Sequence, residues 1–297
     1  MIMFIFRFKA VFCALSVLVA LLITVNSSHA GSPVWKVSKN GHYFYLGATI
    51  HLLKQSDYPL PAAFNVAYAD SSILVFETDI DALSGPEGQM KIMSSAMLPA
   101  EKTLKSELRP DTWTALDSHM KEKGIPIFGF AKFKPGMVAM TLTVLEMQTQ
   151  GYSADMGVDM HYLSRANKDG KTKGFLESVD VQLALLSMDG WDGDEMILYT
   201  LRDLKRISDI LDELKRAWKN GEADNLDKLA GTEMKKNFPG VYKKLVTDRN
   251  NNWLPELEKY SQTKDVELIL VGGLHLTGSE GLLNQLKKRG FNIENLK

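Results

Sequence analysis

A buried apolar run that stops at a glycine pair constrains this chain more than any other stretch. Residues 266–271 read VELILV, and Gly272, Gly273, Leu274 and His275 follow. A near-continuous run of this kind fits a strand covered on both faces, as in a parallel sheet. A sheet covered on both faces needs helices packed against it, which points to a mixed α/β fold. The glycine pair lets the backbone turn tightly. Thr277 or Ser279 stands where it can cap a helix over 280–288, and Gly290 would end that helix. His275 thus falls at the C-terminal end of a buried strand, beside a helix N-terminus. Open α/β sheets bind their ligands at that place.

A second unit of the same form stands near the other end of the chain. Residues 43–46 read as a strand, Gly47 as its turn, and His51 follows three residues after Ala48. A third apolar run, 73–76, ends in Glu77, Thr78 and Asp79. Two histidines and a carboxylate on strand ends can converge on one site, most simply around a divalent metal.

Residues 1–30 stand apart from this pattern. Arg7 and Lys9 precede an uncharged apolar run over 10–25, and Ser28, His29 and Ala30 form a small-x-small site before Gly31. That is the form of a cleaved signal peptide, so a secreted or periplasmic protein is expected, with no stable membrane span after cleavage. An uncleaved anchor fits less well, because the run is short. The one cysteine, Cys13, lies in this segment. Residues 31–297 therefore offer no disulfide, no thiolate nucleophile and no cysteine ligand, and a metal there must use His and carboxylate. A net charge of −1 over 297 residues gives no nucleic-acid-binding surface.

The rest of the chain reads as alternating elements. A hairpin is expected at 34–37 and 42–46, turning at 39–41. Helices are expected at 61–68, 90–97, 110–123, 135–147, 156–167 and 178–187. Residues 83–89 read as a polar loop, 125–130 as a short edge strand, and 172–176 as a strand ending at Glu177. Helices over 194–220, 226–236 and 239–263 follow, with Pro255 placed to kink or split the last. A short strand at 291–293 closes the chain. With no repeat, low-complexity run or long linker, residues 31–297 form a single α/β domain, a central sheet with flanking helices, and strand–Gly–His units near both its ends.

The ordered set of short motifs resembles the TraB/GumN family. It comprises Gly47 to His51, Glu77 to Asp79, Gly157 to Asp159, Gly174 to Glu177 with Gln182, Asp248 to Asn250, and Val271 to Gly278. That family is related to the Tiki metalloproteases. The resemblance implies two Gly-x-x-His motifs and a glutamate serving a metal-dependent hydrolase. Gly272 to His275 fits that pattern. The first motif departs from it, because Ala48 stands where the glycine is expected. A demand for positive φ there would strain the turn.

Each residue also has a plainer reading. His51 and His275 can be core histidines satisfied by carbonyls, against their reading as metal ligands or catalytic groups. Glu77 is a ligand or general base, or equally an ion-pair partner of Arg249. Asp79, two residues on, would face the same side of a continuing strand and support the site. Glu177 can line the cleft or merely favour the next helix N-terminus. Arg249 and Asn250 can bind substrate or orient a carboxylate, or lie on a solvated helix face. His161, beside Asp159, is read as packing; His42 and His119 receive no role. The methionines between 90 and 160 are read chiefly as core filling. No Gly-x-Ser-x-Gly elbow, P-loop or His-Glu-x-x-His helix is present. The expected function is a metal-dependent hydrolase of peptides or proteins, with His51, Glu77 and His275 on manganese, cobalt or zinc. The alternative is a non-catalytic periplasmic protein that sequesters a peptide, haem or metal.

Overall fold

The computed structural model describes residues 31–186, without the side chain of residue 186, and residues 191–297. The signal peptide read at residues 1–30, Cys13 included, and the last residue of the helix expected over 178–187 lie outside them.

Six strands form one mixed sheet: β1 (Val34–Lys39), β2 (His42–Thr49), β3 (Ile73–Phe76), β4 (Thr172–Phe175), β5 (Glu267–Gly272) and β6 (Asn292–Asn295). Their order is β4-β3-β5-β2-β1-β6. β1 and β2 are the expected hairpin, turned by Asn40 and Gly41 at φ of 53° and 86°. Those paired positive angles match the twist that two-residue hairpin turns require. β4, β3, β5 and β2 run parallel, and β6 adds antiparallel to β1. β5 enters between β2 and β3 although it is the next-to-last strand in the chain, so the C-terminal ends of β2, β3, β4 and β5 share one edge.

Helices cover the sheet as the apolar β5 demands. α1 (Ala62–Asp70) links β2 to β3, and Phe64 on it is fully buried. Gly47 makes that approach possible: a Cβ there would lie 2.8 Å from Leu270 and 2.9 Å from Phe64. Gly47 is thus a packing glycine inside β2, which runs on to Thr49, and not the turn the sequence implied. Ala48 is buried in the same strand opposite Val271, so no positive φ is asked of it.

The expected polar loop at 83–89 is helical instead. Asp79 accepts a hydrogen bond from the Ala82 N–H at 2.9 Å and starts α2 (Ile80–Ser84). Pro86 then opens α3 (Pro86–Ala96) in its first turn, where its missing N–H costs nothing. The edge strand expected over 125–130 is a 3-10 turn, Ile127–Phe130, because Pro126 has no N–H to give a neighbouring strand. A second apolar cluster forms beside the sheet. Its members include Leu116 and Met120 of α4 (Pro110–Glu122), Val138 and Leu142 of α5 (Pro135–Thr149), and Ile197. Met120, Met137 and Met147 are buried as core filling, whereas Met90 and Met93 are exposed.

α6 (Val158–Asp169) ends at Gly170, with φ of 66°. Ser178 caps α7 (Val179–Leu186) by accepting from the Val181 N–H at 3.3 Å. The helix expected over 194–220 is two: α8 (Gly193–Leu204) and α9 (Ile207–Lys219). The two helices expected over 226–263 are also interrupted, by π-helical segments at Asp227–Gly231 and Lys243–Thr247. Pro255 neither starts nor ends the last of them, α10 (Asp248–Tyr260), but lies within it. After β5 come the short α11 (Gly273–Leu276) and α12 (Leu282–Lys288). No described helix is long and apolar enough to cross a membrane.

One buried charge sits at the other end of β5. Glu267 is fully buried; its Oε1 accepts from the Thr263 hydroxyl at 3.0 Å, and its Oε2 has no partner among the described residues. Burial raises its pKa above the ordinary glutamate value. The folded state therefore binds this proton more tightly than the unfolded chain. Its contribution to stability is full below the unfolded pKa and is lost as pH rises through the folded one. Glu267→Gln keeps an acceptor for Thr263 and removes the ionisation. Its stability lead over the parent should widen as pH rises from 4 to 8, reaching about 1–2 kcal/mol. Urea unfolding across that range checks this, and a parallel pH dependence of the two proteins would refute it.

Candidate functional site

The shared edge of the parallel strands gathers the predicted residues. β3 and β5 are registered Phe76 to Leu270, and β2 and β5 are registered Thr49 to Gly272. Glu77 and His51 therefore leave their strands next to Gly272. A Cβ placed on Gly272 would lie 3.4 Å from Glu77 Oε1, 3.7 Å from His275 Cδ2 and 3.8 Å from His51 Nε2. The two strand–Gly–His units and the glutamate thus meet around one glycine. The Gly272 N–H donates to Glu77 Oε1 at 2.6 Å, and His275 Nε2 stands 4.0 Å from the same oxygen.

Each imidazole is held through Nδ1. His275 sits on α11 and is buried; its Nδ1 is 2.7 Å from Asn250 Oδ1. The Asn250 amide donates to the carbonyls of His275 at 3.1 Å and Glu280 at 3.0 Å, which leaves its oxygen as the acceptor. His51 Nδ1 is 3.2 Å from Asp159 Oδ1, and the His51 side chain is 59% exposed, so it forms the open side of the site. Asp159 is carried by the first turn of α6. Gly157 lets that helix end approach: a Cβ there would stand 2.4 Å from the His51 carbonyl oxygen. The Val158 N–H donates to the Ile50 carbonyl at 3.1 Å and fixes the contact.

Arg249 occupies the middle. Its Nη2 donates to Glu77 Oε2 at 2.5 Å, to Glu177 Oε1 at 2.8 Å and to Gln182 Oε1 at 3.1 Å. Its Nε donates to both oxygens of Glu177, at 3.1 and 3.0 Å, and its Nη1 is 3.0 Å from His275 Nε2. Arginine only donates, so His275 Nε2 is the acceptor and the ring proton is on Nδ1. Trp253 donates to Glu177 Oε2 at 3.0 Å and packs against His275, ring centroids 4.5 Å apart. The backbone aligns the two glutamates, because the Glu177 N–H donates to the Glu77 carbonyl at 2.9 Å.

This arrangement separates the ionisation of its members. Burial pushes the Glu77 carboxyl up, but His275, Arg249, His51 and the Gly272 N–H more than offset it and bring it down to about 2. Burial also raises Glu177, helped by the charge of Glu77 and opposed by Arg249 and Trp253. Burial lowers His275 to about 4, against the pull of Glu77. The Asp159 carboxylate raises His51 above the ordinary histidine value. Near neutral pH, Glu77 is ionised and His275 is neutral.

Of the residues picked from the sequence, His51, Glu77, Glu177, Arg249, Asn250 and His275 come together. Asp79 does not: β3 stops at Phe76, and its carboxylate caps α2. His161 stacks on Tyr58 with centroids 5.4 Å apart, which is a packing role. Asp159 and Gln182, which stood in the motif set without a site role, and Trp253, which did not stand in it, also join the site. The signal for Asp159 was its glycine two residues earlier. For Gln182 it was its place after Glu177 in the motif set.

The donor chemistry fits a divalent ion. Two imidazole Nε2 atoms and a carboxylate face one region, and both rings are oriented at Nδ1 by an oxygen acceptor, as metal-binding histidines usually are. Asp159 Oδ1 is buried with no hydrogen bond among the described residues beyond its ion-pair contact with His51. No group of three His, Cys, Asp or Glu side chains among the described residues already stands in metal-holding geometry. Arg249 Nη1 takes the lone pair of His275 Nε2.

The sequence profile of the TraB/PrgY/gumN family matches residues 33–295. The chain belongs to that family. It is similar to the uncharacterized protein YbaP of Escherichia coli (strain K12), 25% identical over 263 residues, covering 88% of this chain and 94% of that protein. It is also similar to the uncharacterized protein YbaP of Shigella flexneri, 26% identical over 247 residues, covering 83% of this chain and 88% of that protein. No solved structure matches.

Gly157→Ala tests the geometry. The added methyl must push the start of α6 off the His51 carbonyl, which should cost about 1–3 kcal/mol and loosen the contact between Asp159 and His51. Urea unfolding and the NMR titration of the His51 ring read both effects. An unchanged midpoint with an unchanged His51 titration would contradict the packing described.

Proposed function

We propose that this chain is a periplasmic or secreted metal-dependent hydrolase acting on a peptide or protein. The observation that carries the reading is the meeting of His51, Glu77 and His275 around Gly272, each ring oriented through Nδ1. His51, His275 and Glu77 would hold the ion. Nitrogen and oxygen donors without cysteine suit manganese, cobalt or zinc. A bound divalent ion supplies Lewis acidity toward a substrate carbonyl.

The chain supplies the rest. Glu77, ionised and held by the Gly272 N–H, presents its carboxylate beside the two imidazoles. Asn250 keeps His275 in one tautomer, and Asp159 does the corresponding work for His51. Substrate approaches from the open His51 side, since His275 and Arg249 are buried. The Trp253 ring and the apolar strand ends keep bulk water from the inner side.

A second reading, a binding protein without turnover, is favoured by one observation. Arg249 already takes the His275 lone pair that a metal would use. A ligand held tightly, with no turnover over a broad peptide and ester panel, would favour it.

The hydrolase reading expects near-stoichiometric manganese, cobalt or zinc in the purified protein, lost in His275→Ala. It also expects His51→Ala and His275→Ala each to lower turnover by at least about a hundredfold, as losses of catalytic groups do. Circular dichroism and the unfolding midpoint confirm that the variants stay folded. Turnover retained in both variants would reject the reading.

A further inference from the structure

We infer that Arg249 is a displaceable internal cation, which holds Glu77 and His275 until a divalent ion takes them and then withdraws onto Glu177. The inference rests on the metal-site reading above and adds a competitor built into the chain.

The guanidinium has two sides with different partners. On one side, Nη1 holds the His275 Nε2 lone pair at 3.0 Å and Nη2 holds Glu77 Oε2 at 2.5 Å. A neutral imidazole has one lone pair in its ring plane, so His275 Nε2 serves either Arg249 or a metal, never both. On the other side, Nε and Nη2 grip Glu177 by three contacts of 2.8 to 3.1 Å, and Nη2 also reaches Gln182. The Trp253 ring lies 4.6 Å from the guanidinium carbon and donates to the same glutamate. None of these partners is a proposed metal ligand. Arg249 can therefore release Glu77 and His275 while its charge stays paired. The bidentate pairing with Glu177 gives the buried guanidinium a partner when the ion arrives.

Charge sets the direction of the effect. A fixed positive charge within hydrogen-bond reach of two ligands opposes a divalent cation on them. Removing that charge should tighten metal binding, whereas a merely structural arginine would loosen the site and weaken it.

The test is calorimetric titration of zinc into the full-length protein, Arg249→Gln and Arg249→Lys at pH 8. Gln keeps a donor for Glu177 and removes the charge. The expected result is zinc binding at least tenfold tighter in Arg249→Gln and no tightening in Arg249→Lys. Equal or weaker binding in Arg249→Gln overturns the inference and leaves the metal site standing. Zinc bound by none of the three overturns the metal site as well.

Should Arg249→Gln fail to fold, the parent protein labelled with 15N in its arginines gives the same answer. On adding zinc, the Arg249 side-chain resonances should shift together with the His275 ring nitrogens, and its Nε–H should stay protected by Glu177. A response of His275 with Arg249 unmoved overturns the inference.

Discussion

The parallel pairing of β5 between β2 and β3 is the constraint on which the site depends. A register shift of one residue in a strand turns its side chains to the opposite face. With Thr49 opposite Gly272 and Phe76 opposite Leu270, the chain leaves three neighbouring strands within two residues' height of each other. His51, Glu77 and Gly272 follow from that alignment. The register is itself held by burial, because Leu46, Leu74, Phe76 and Leu268 to Val271 are all essentially inaccessible to water. The apolar core and the polar site are therefore one structural decision. Small residues at 47, 48, 272 and 273 keep the crossing free of side chains that would separate the three elements.

A second constraint is electrostatic. Glu77 and Glu177 are almost wholly buried, with side chains 12% and 6% exposed. Two carboxylates so placed cannot both be ionised without a cation between them. Arg249 is that cation, 8% exposed itself. Losing it would leave buried charge unpaired, a change that typically costs several kcal/mol. The same contact serves stability and restrains function, since it uses atoms a metal would need. Asn250 is the adjacent residue on α10 and acts on the other nitrogen of His275. One helical turn thus controls both faces of one imidazole.

Much of this was legible in the sequence, and the limits have physical causes. The β5 run, both histidine units and the carboxylate after β3 stood out because burial and tight turns leave local marks. The family resemblance placed the motifs in the right order. What did not show were partners distant in the chain. The Glu77 ion pair with Arg249, 172 positions apart, was one of two even readings of Glu77, but the grip of the same guanidinium on Glu177 and His275 was not among them. Only the inserted strand order brings these residues together, and a single chain carries no record of contacts. Asp79 was misplaced for a local reason: strand alternation was extended past Phe76, while an Asx cap ended the strand and began a helix. Gly47 was taken as a turn because glycine commonly marks one. Here it answers to Phe64, a residue on a different element.

The helical half carries one buried face through an irregular turn. A continuous α-helix from 239 onward would give residues 242, 246, 249 and 253 one shared face. In the structure Tyr242, Val246, Arg249, Asn250 and Trp253 are all buried, the i, i+4, i+7, i+8 and i+11 positions that such a face comprises. The π segment at Lys243–Thr247 lies within that stretch, just before Arg249. Such a bulge gives up regular hydrogen bonding. It persists where packing on both sides determines it, and here Arg249, Asn250 and Trp253 are fixed by Glu177, His275 and the carbonyl of Glu280. Arg249 and Asn250, adjacent on that face, thus reach the two nitrogens of the same imidazole, and the burial that orders the helix also orders the site.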